Sequence, residues 1–95
     1  MSQGSLNEVS ALTLEIAGLL RAQIALKQIK QNDIAKQARI SKQQLSAMLN
    51  GLKRIDIEQL DRITQAIGIP LLKVIKQADE NTASRRIESG IKPQF

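Results

Sequence analysis

The sequence predicts an all-α fold of five helices, and three observations carry that prediction. Apolar residues recur at helical rather than strand spacing along most of the chain. Capping and staple signals repeat at three successive boundaries, Ile29–Ile34, Ile40–Leu45 and Ile55–Leu60, each marking the start of a short helix. The only aromatic among the 95 residues is Phe95, so the core is built from Leu, Ile, Val, Ala and Met. Leu, Ala and Met favour helices, and Ile and Val accept them when burial rewards it.

The first helix is predicted over Leu6 to Lys27, with Ser5 and Glu8 at capping-box spacing. Leu6, Val9, Leu12, Ile16, Leu19, Leu20 and Ile24 fall on one broad stripe, Leu14 lies off it, and Gly18 is a weak point costing about 1 kcal/mol against Ala. Three short helices follow, Gln31–Ala38, Lys42–Asn50 and Ile57–Ile67. Ser41 with Gln44 and Asp56 with Gln59 supply capping boxes, while Lys30 is a poor cap for the first of the three. Gly51 and Gly68 stand as stops. Pro70 opens a fifth helix at its first position, with Leu71, Leu72, Val74 and Ile75 supplying the buried side. From Asp79 the pattern is lost. The expected organisation is a disordered N-terminus at 1–5, one domain over 6–78, and a flexible or partner-binding tail over 79–95.

Composition removes several function classes. The chain has no Cys and no His, so disulfides, thiolate or imidazole metal sites, and Cys or His nucleophile and base chemistry are excluded. No cofactor and no metal are expected. Ser residues lack a histidine base, and no Gly-rich phosphate loop occurs, so the chain does not read as an enzyme. Apolar runs fall far short of the roughly 20 residues a membrane span needs, and Met1–Ser5 has no signal-peptide pattern; a cytoplasmic protein without membrane contact is expected. The formal charge is +5, unevenly spread. Between Lys27 and Arg54 stand seven basic residues and one acid, Asp33, a net of +6 that leaves −1 for the rest. Such a segment reads either as a face for a polyanion or as a solubilising surface.

Two short helices joined by a tight turn are the core of a helix-turn-helix. The inward positions Ile34, Ala38, Ile40, Leu45 and Met48 are apolar, small Ala35 stands at the close approach, and Lys42, Gln43 and Ser46 are polar and outward. Gln31-Asn32-Asp33-Ile34-Ala35-Lys36-Gln37-Ala38-Arg39-Ile40-Ser41 resembles the "Q-x-x-L-A-x-x-x-G-[VI]-[ST]" opening of phage-repressor-like (Xre-type, Cro/lambda-repressor-like) domains. Leu45-Ser46 and Asn50-Gly51 resemble the family's "I-S" and "N-G" at the same spacing. Leu60 through Ile69-Pro70-Leu71 resembles its "L-x-x-[IL]-A-x-A-L-G-[VI]" close. The resemblance spans about Leu19 to Ile75. It departs at Arg39, where the family usually has Gly in the turn, and at Leu49, where many members have a Glu paired with an Arg that Ile24 replaces here. The second exchange makes both partners apolar together and buries no unpaired charge.

The resemblance implies a five-helix lambda-repressor-like DNA-binding domain, with an extended first helix and a flexible C-terminal tail. Its partner would be double-stranded DNA, entered by the second helix of the motif in the major groove. Lys42, Gln43, Gln44, Ser46 and Ala47 are then candidates for base contact: Gln binds adenine bidentately, Lys donates to guanine, and Ala meets a thymine methyl. Gln31, Ser41, Asn50, Lys53 and Arg54 are candidates for phosphate contact. Each has a plainer reading. Gln44 is the cap partner of Ser41, Lys42 a solvated first-turn residue, Asn50 a helix terminator, and Lys53 and Arg54 ordinary surface charge. The first helix, about 22 residues or roughly 33 Å, is longer than the fold needs. Leu6, Val9 and Leu12 are therefore expected either to dimerise or to fold back on helix five or the tail. The implied function is a sequence-specific transcriptional regulator, a homodimeric repressor of phage-immunity or autoregulatory type. The alternative is an antitoxin-like protein whose tail also binds a partner protein.

Overall fold

The computed structural model describes residues 8–88. Five helices follow in order: α1 (Ala11–Lys27), α2 (Gln31–Ala38), α3 (Lys42–Leu49), α4 (Ile57–Ile67) and α5 (Leu71–Glu88), and no strand occurs among the described residues. The fold class is the one expected from sequence, with α2 and α4 at the expected bounds and α3 ending in Asn50 as its cap.

The helices start and stop through local chemistry. Ser41 Oγ accepts the Gln44 backbone N–H at 3.1 Å. In α4 both halves of the box form, Gln59 N–H to Asp56 Oδ1 at 2.7 Å and Asp56 N–H to Gln59 Oε1 at 3.0 Å. Lys30 caps α2 without a side-chain bond. Four consecutive helices end in the same double bond, made by a residue in the left-handed region and its successor. At α2, Arg39 N–H reaches Lys36 O and Ile40 N–H reaches Ala35 O. Gln28 with Ile29, Gly51 with Leu52 and Gly68 with Ile69 repeat the pattern. Ile29, Ile40 and Ile69 then turn onto the core, which fixes the direction of the next helix.

Two expected boundaries move. Helix α1 begins at Ala11, not Leu6, because Ser10 is the cap: its Oγ accepts Thr13 N–H at 3.2 Å. Glu8 precedes the helix, and Ser5 and Leu6 lie outside the described residues. Gly18 interrupts nothing; α1 is continuous through it. At the other end α5 runs on to Glu88, past the boundary at Asp79. Val74, Ala78 and Thr82, four residues apart, are buried and carry the helix along the core. The expected tail is helical as far as Glu88, and residues 89–95 lie outside the described region, as does the expected disordered segment at 1–5. Pro70 stands one place earlier than expected, its carbonyl accepting the Val74 N–H at 3.4 Å.

The core joins all five helices through Ile16, Leu20, Ile24, Ile34, Leu45, Met48, Leu49, Leu60, Ile63, Ile67 and Val74. Ile24 and Leu49, the pair standing in for a charged one, are both buried in it. Helix α5 lies along α1, α2 packs on α4 and α3, and α1 also backs α3. The excess of α1 is thus partly absorbed within the chain: Leu12 packs against the core and Val9 is half-buried.

Candidate nucleic-acid interface

The inner side of α3 is fixed and its outer side is polar. Leu45, Met48 and Leu49 are fully buried. Lys42, Gln43 and Gln44 are exposed together in the first turn, Ser46 and Ala47 are half-buried one turn on, and Asn50 is exposed at the end. The structure therefore brings the five candidate base-contacting residues onto one short helix with an immobilised back. Ser41 is exposed at the cap of α3, and Gln31 is exposed in the first turn of α2. Asn50 closes α3 through its own side chain, donating to Ser46 O at 2.9 Å and Ser46 Oγ at 3.4 Å. Its amide N–H is used within the helix, as the plainer reading expects.

Beyond α3 the chain turns at Gly51, φ 74°. Leu14 closes over this glycine: a Cβ there would lie 2.5 Å from Leu14 Cδ2. The off-stripe leucine of α1 is thereby a contact to the end of α3. Lys53 (half-buried) and Arg54 (exposed) follow. With Leu52, Ile55, Asp56 and Gln59 they line an open hollow of about 590 Å³ next to the C-terminal end of α3. Leu52 is 77% exposed there, an apolar side chain among cations.

Sequence reasoning missed how the ends of the helices near this surface are held. Arg21 of α1 donates through Nη1 to the carbonyl of Leu49, the last residue of α3. Arg62 of α4 donates from Nε to Ala38 O at the end of α2, at 2.8 Å. Lys27 Nζ reaches Ile67 O at 3.1 Å and Gly68 O at 3.2 Å, closing α4. A cation at a helix C-terminus meets unpaired carbonyls and the negative end of the dipole. The one signal available in sequence was that these three cations flank or belong to apolar stripes. The partner carbonyls are 24 to 41 residues away.

Among the described residues no helix is long and apolar enough to cross a membrane, and no cluster of His, Cys, Asp or Glu suits a metal ion. Leu12, of the three residues expected to dimerise, is partly buried against this chain's own core, Val9 is half-buried, and Leu6 lies outside the described residues.

Residues 20–72 match the family model described as a Cro/C1-type HTH DNA-binding domain. No curated protein matches the sequence. Two solved structures of the clp gene regulator ClgR from Corynebacterium glutamicum are similar to it. One aligns at 26% identity over 78% of this chain and 96% of that one, with a TM-score of 0.69. The other aligns at 23% identity over 85% of this chain and 86% of that one, with a TM-score of 0.72, a likeness of fold. The matched span begins in the middle of α1 and ends as α5 opens, so it contains the whole of α2, α3 and α4. The chain belongs to the Cro/C1-type helix-turn-helix family of DNA-binding domains, and is a DNA-binding transcriptional regulator.

Proposed function

We propose that the protein is a sequence-specific repressor that reads the major groove of double-stranded DNA with α3. The observation that carries this reading is the polar, exposed outer side of α3, set on a fully buried inner side and lying within a segment, Lys27 to Arg54, of net charge +6. Lys42 and Gln43, in the first turn, face base edges, with Gln44, Ser46 and Ala47 completing the reading surface. Gln31, Ser41, Asn50, Lys53 and Arg54 line the phosphates on either side. The similarity to a gene regulator supports regulation of transcription. Repression is the simplest outcome of a small domain occupying an operator, and autoregulatory or phage-immunity control fits it.

The reading includes a homodimer. Two recognition helices about 34 Å apart would face successive major grooves of a palindrome. Selection from a random DNA pool, followed by a salt titration of the best site, tests both parts. The expected result is an enriched palindrome with half-sites roughly 10 base pairs apart. Gln43→Ala should weaken it by about 1–3 kcal/mol and relax one position in each half. Retention without sequence enrichment would remove the specific regulator, and an enriched single half-site would remove the dimer.

A further inference from the structure

Arg39 is the residue at which this chain departs from the glycine usual in the turn, and it keeps the turn geometry. Its φ of 58° and ψ of 42° are left-handed, a conformation unfavourable for a residue with a Cβ. Its side chain is exposed and lines an open hollow of about 340 Å³ with Gln37, Arg62, Gln65 and Ala66. The hollow joins the end of α2 to the outer side of α4. Two guanidinium groups and two primary amides make up its polar lining, a donor set suited to an anionic oxygen.

The two arginines differ in what they already hold. Arg62 is committed through Nε to Ala38 O and lies 3.9 Å from Glu58. Gln65 donates to Asp61 Oδ1 at 3.1 Å. Among the described residues no carboxylate or carbonyl pairs with the Arg39 guanidinium. Its like-charged neighbour Arg62 raises the benefit of an incoming anion.

Position supplies the anion. Arg39 is two residues before Ser41, the cap of α3, so their α-carbons are at most about 7 Å apart. The major groove is about 12 Å wide and walled by phosphates. With the first turn of α3 in the groove, a flexible side chain two residues upstream lies at the wall. Resting on the reading of α3 as the recognition helix, we propose that Arg39 is a further phosphate-contacting residue, and that its hollow receives one backbone phosphate of the bound DNA.

The test uses the full chain, its best DNA site, and three variants at one position. Arg39→Gln removes the charge, Arg39→Lys keeps it, and Arg39→Gly removes it while relieving the backbone. Wild type and Arg39→Lys should show the same slope of log affinity against log salt, and the other two variants a slope shallower by about 0.9. The loss in Arg39→Gln should be uniform across sites of different sequence. Ethylation of one phosphate should hinder wild type and not Arg39→Gln. Arg39→Gly should meanwhile melt at a higher temperature than wild type, so that weaker binding cannot be laid to unfolding. An unchanged slope in Arg39→Gln overturns the proposal and leaves the hollow to an acidic protein surface. A loss confined to certain sequences overturns it in favour of a base contact. If Gln43→Ala still weakens the site while Arg39→Gln leaves the slope intact, only this proposal falls; if wild type itself shows no salt-dependent binding, both readings fall together.

Discussion

Gly51 carries two constraints, and they can be separated. Its φ of 74° is left-handed, which costs a residue with a Cβ roughly 1–2 kcal/mol. The space where that Cβ would go is taken by Leu14 Cδ2, 2.5 Å away. Leu14 is half-exposed, so its end can swing aside at a modest further cost. Gly51→Ala should therefore destabilise the fold by about 1–3 kcal/mol. In a Leu14→Ala background the penalty should fall to the backbone part alone, a coupling that a double-mutant cycle in denaturant reads directly. An equal penalty in both backgrounds would mean that Leu14 does not press on the turn. The pair shows why Leu14 was illegible in sequence: it answers no stripe of α1, only a gap left by a glycine 37 residues along the chain.

Helix ends divide into those a short window specifies and those the fold completes. The caps Ser41 and Asp56, and the isoleucines flanking them, lie within six residues of the helices they start. That proximity is why α2, α3 and α4, and with them the candidate reading surface, were legible at close to their final bounds. At α1 the cap is Ser10, five residues beyond the expected Ser5. The cations at the far ends follow no such window. Arg62 belongs to α4 yet holds the last carbonyl of α2 across 24 residues, and the hollow beside Arg39 is likewise shared between these two helices. Arg62→Met keeps the apolar stem and removes the donor. It should cost about 1–2 kcal/mol, and Arg62→Lys should recover part of that by restoring charge without the planar fork. Chemical denaturation measures both; equal stabilities for Met and wild type would reduce this bond to a surface contact.

At the scale of the whole molecule, α5 lies along α1, and α1 in turn backs α3. The union of α1 and α5 is fastened at Glu15: Asn81 Nδ2 donates to Oε2 at 2.7 Å, and Arg85 Nη1 lies 2.6 Å from Oε1. Gln77 in turn donates to Asn81 Oδ1 at 2.9 Å. This fastening explains how α5 outlasts its apolar pattern: beyond Asp79 the helix is held by small buried Thr82 and by polar partners on another helix, which periodicity does not register. It also makes stability depend on pH in a set direction. The hydrogen bond from Asn81, with the hydrogen bond and charge of Arg85, outweighs burial and holds the Glu15 carboxyl below its ordinary value. The ionised form is thus favoured by folding. Its contribution is complete above the unfolded-state value, about 4.3, and is lost as pH falls through the lower value of the folded state. Other carboxylates titrate in the same window, so the quantity to measure is the gap in thermal midpoint between wild type and Glu15→Gln. That gap should favour wild type at pH 6, where glutamine lacks the charge that Arg85 meets, and narrow steadily as pH falls from about 5 toward 3. A gap that stays constant over this range would show that Glu15 binds α5 without using its charge.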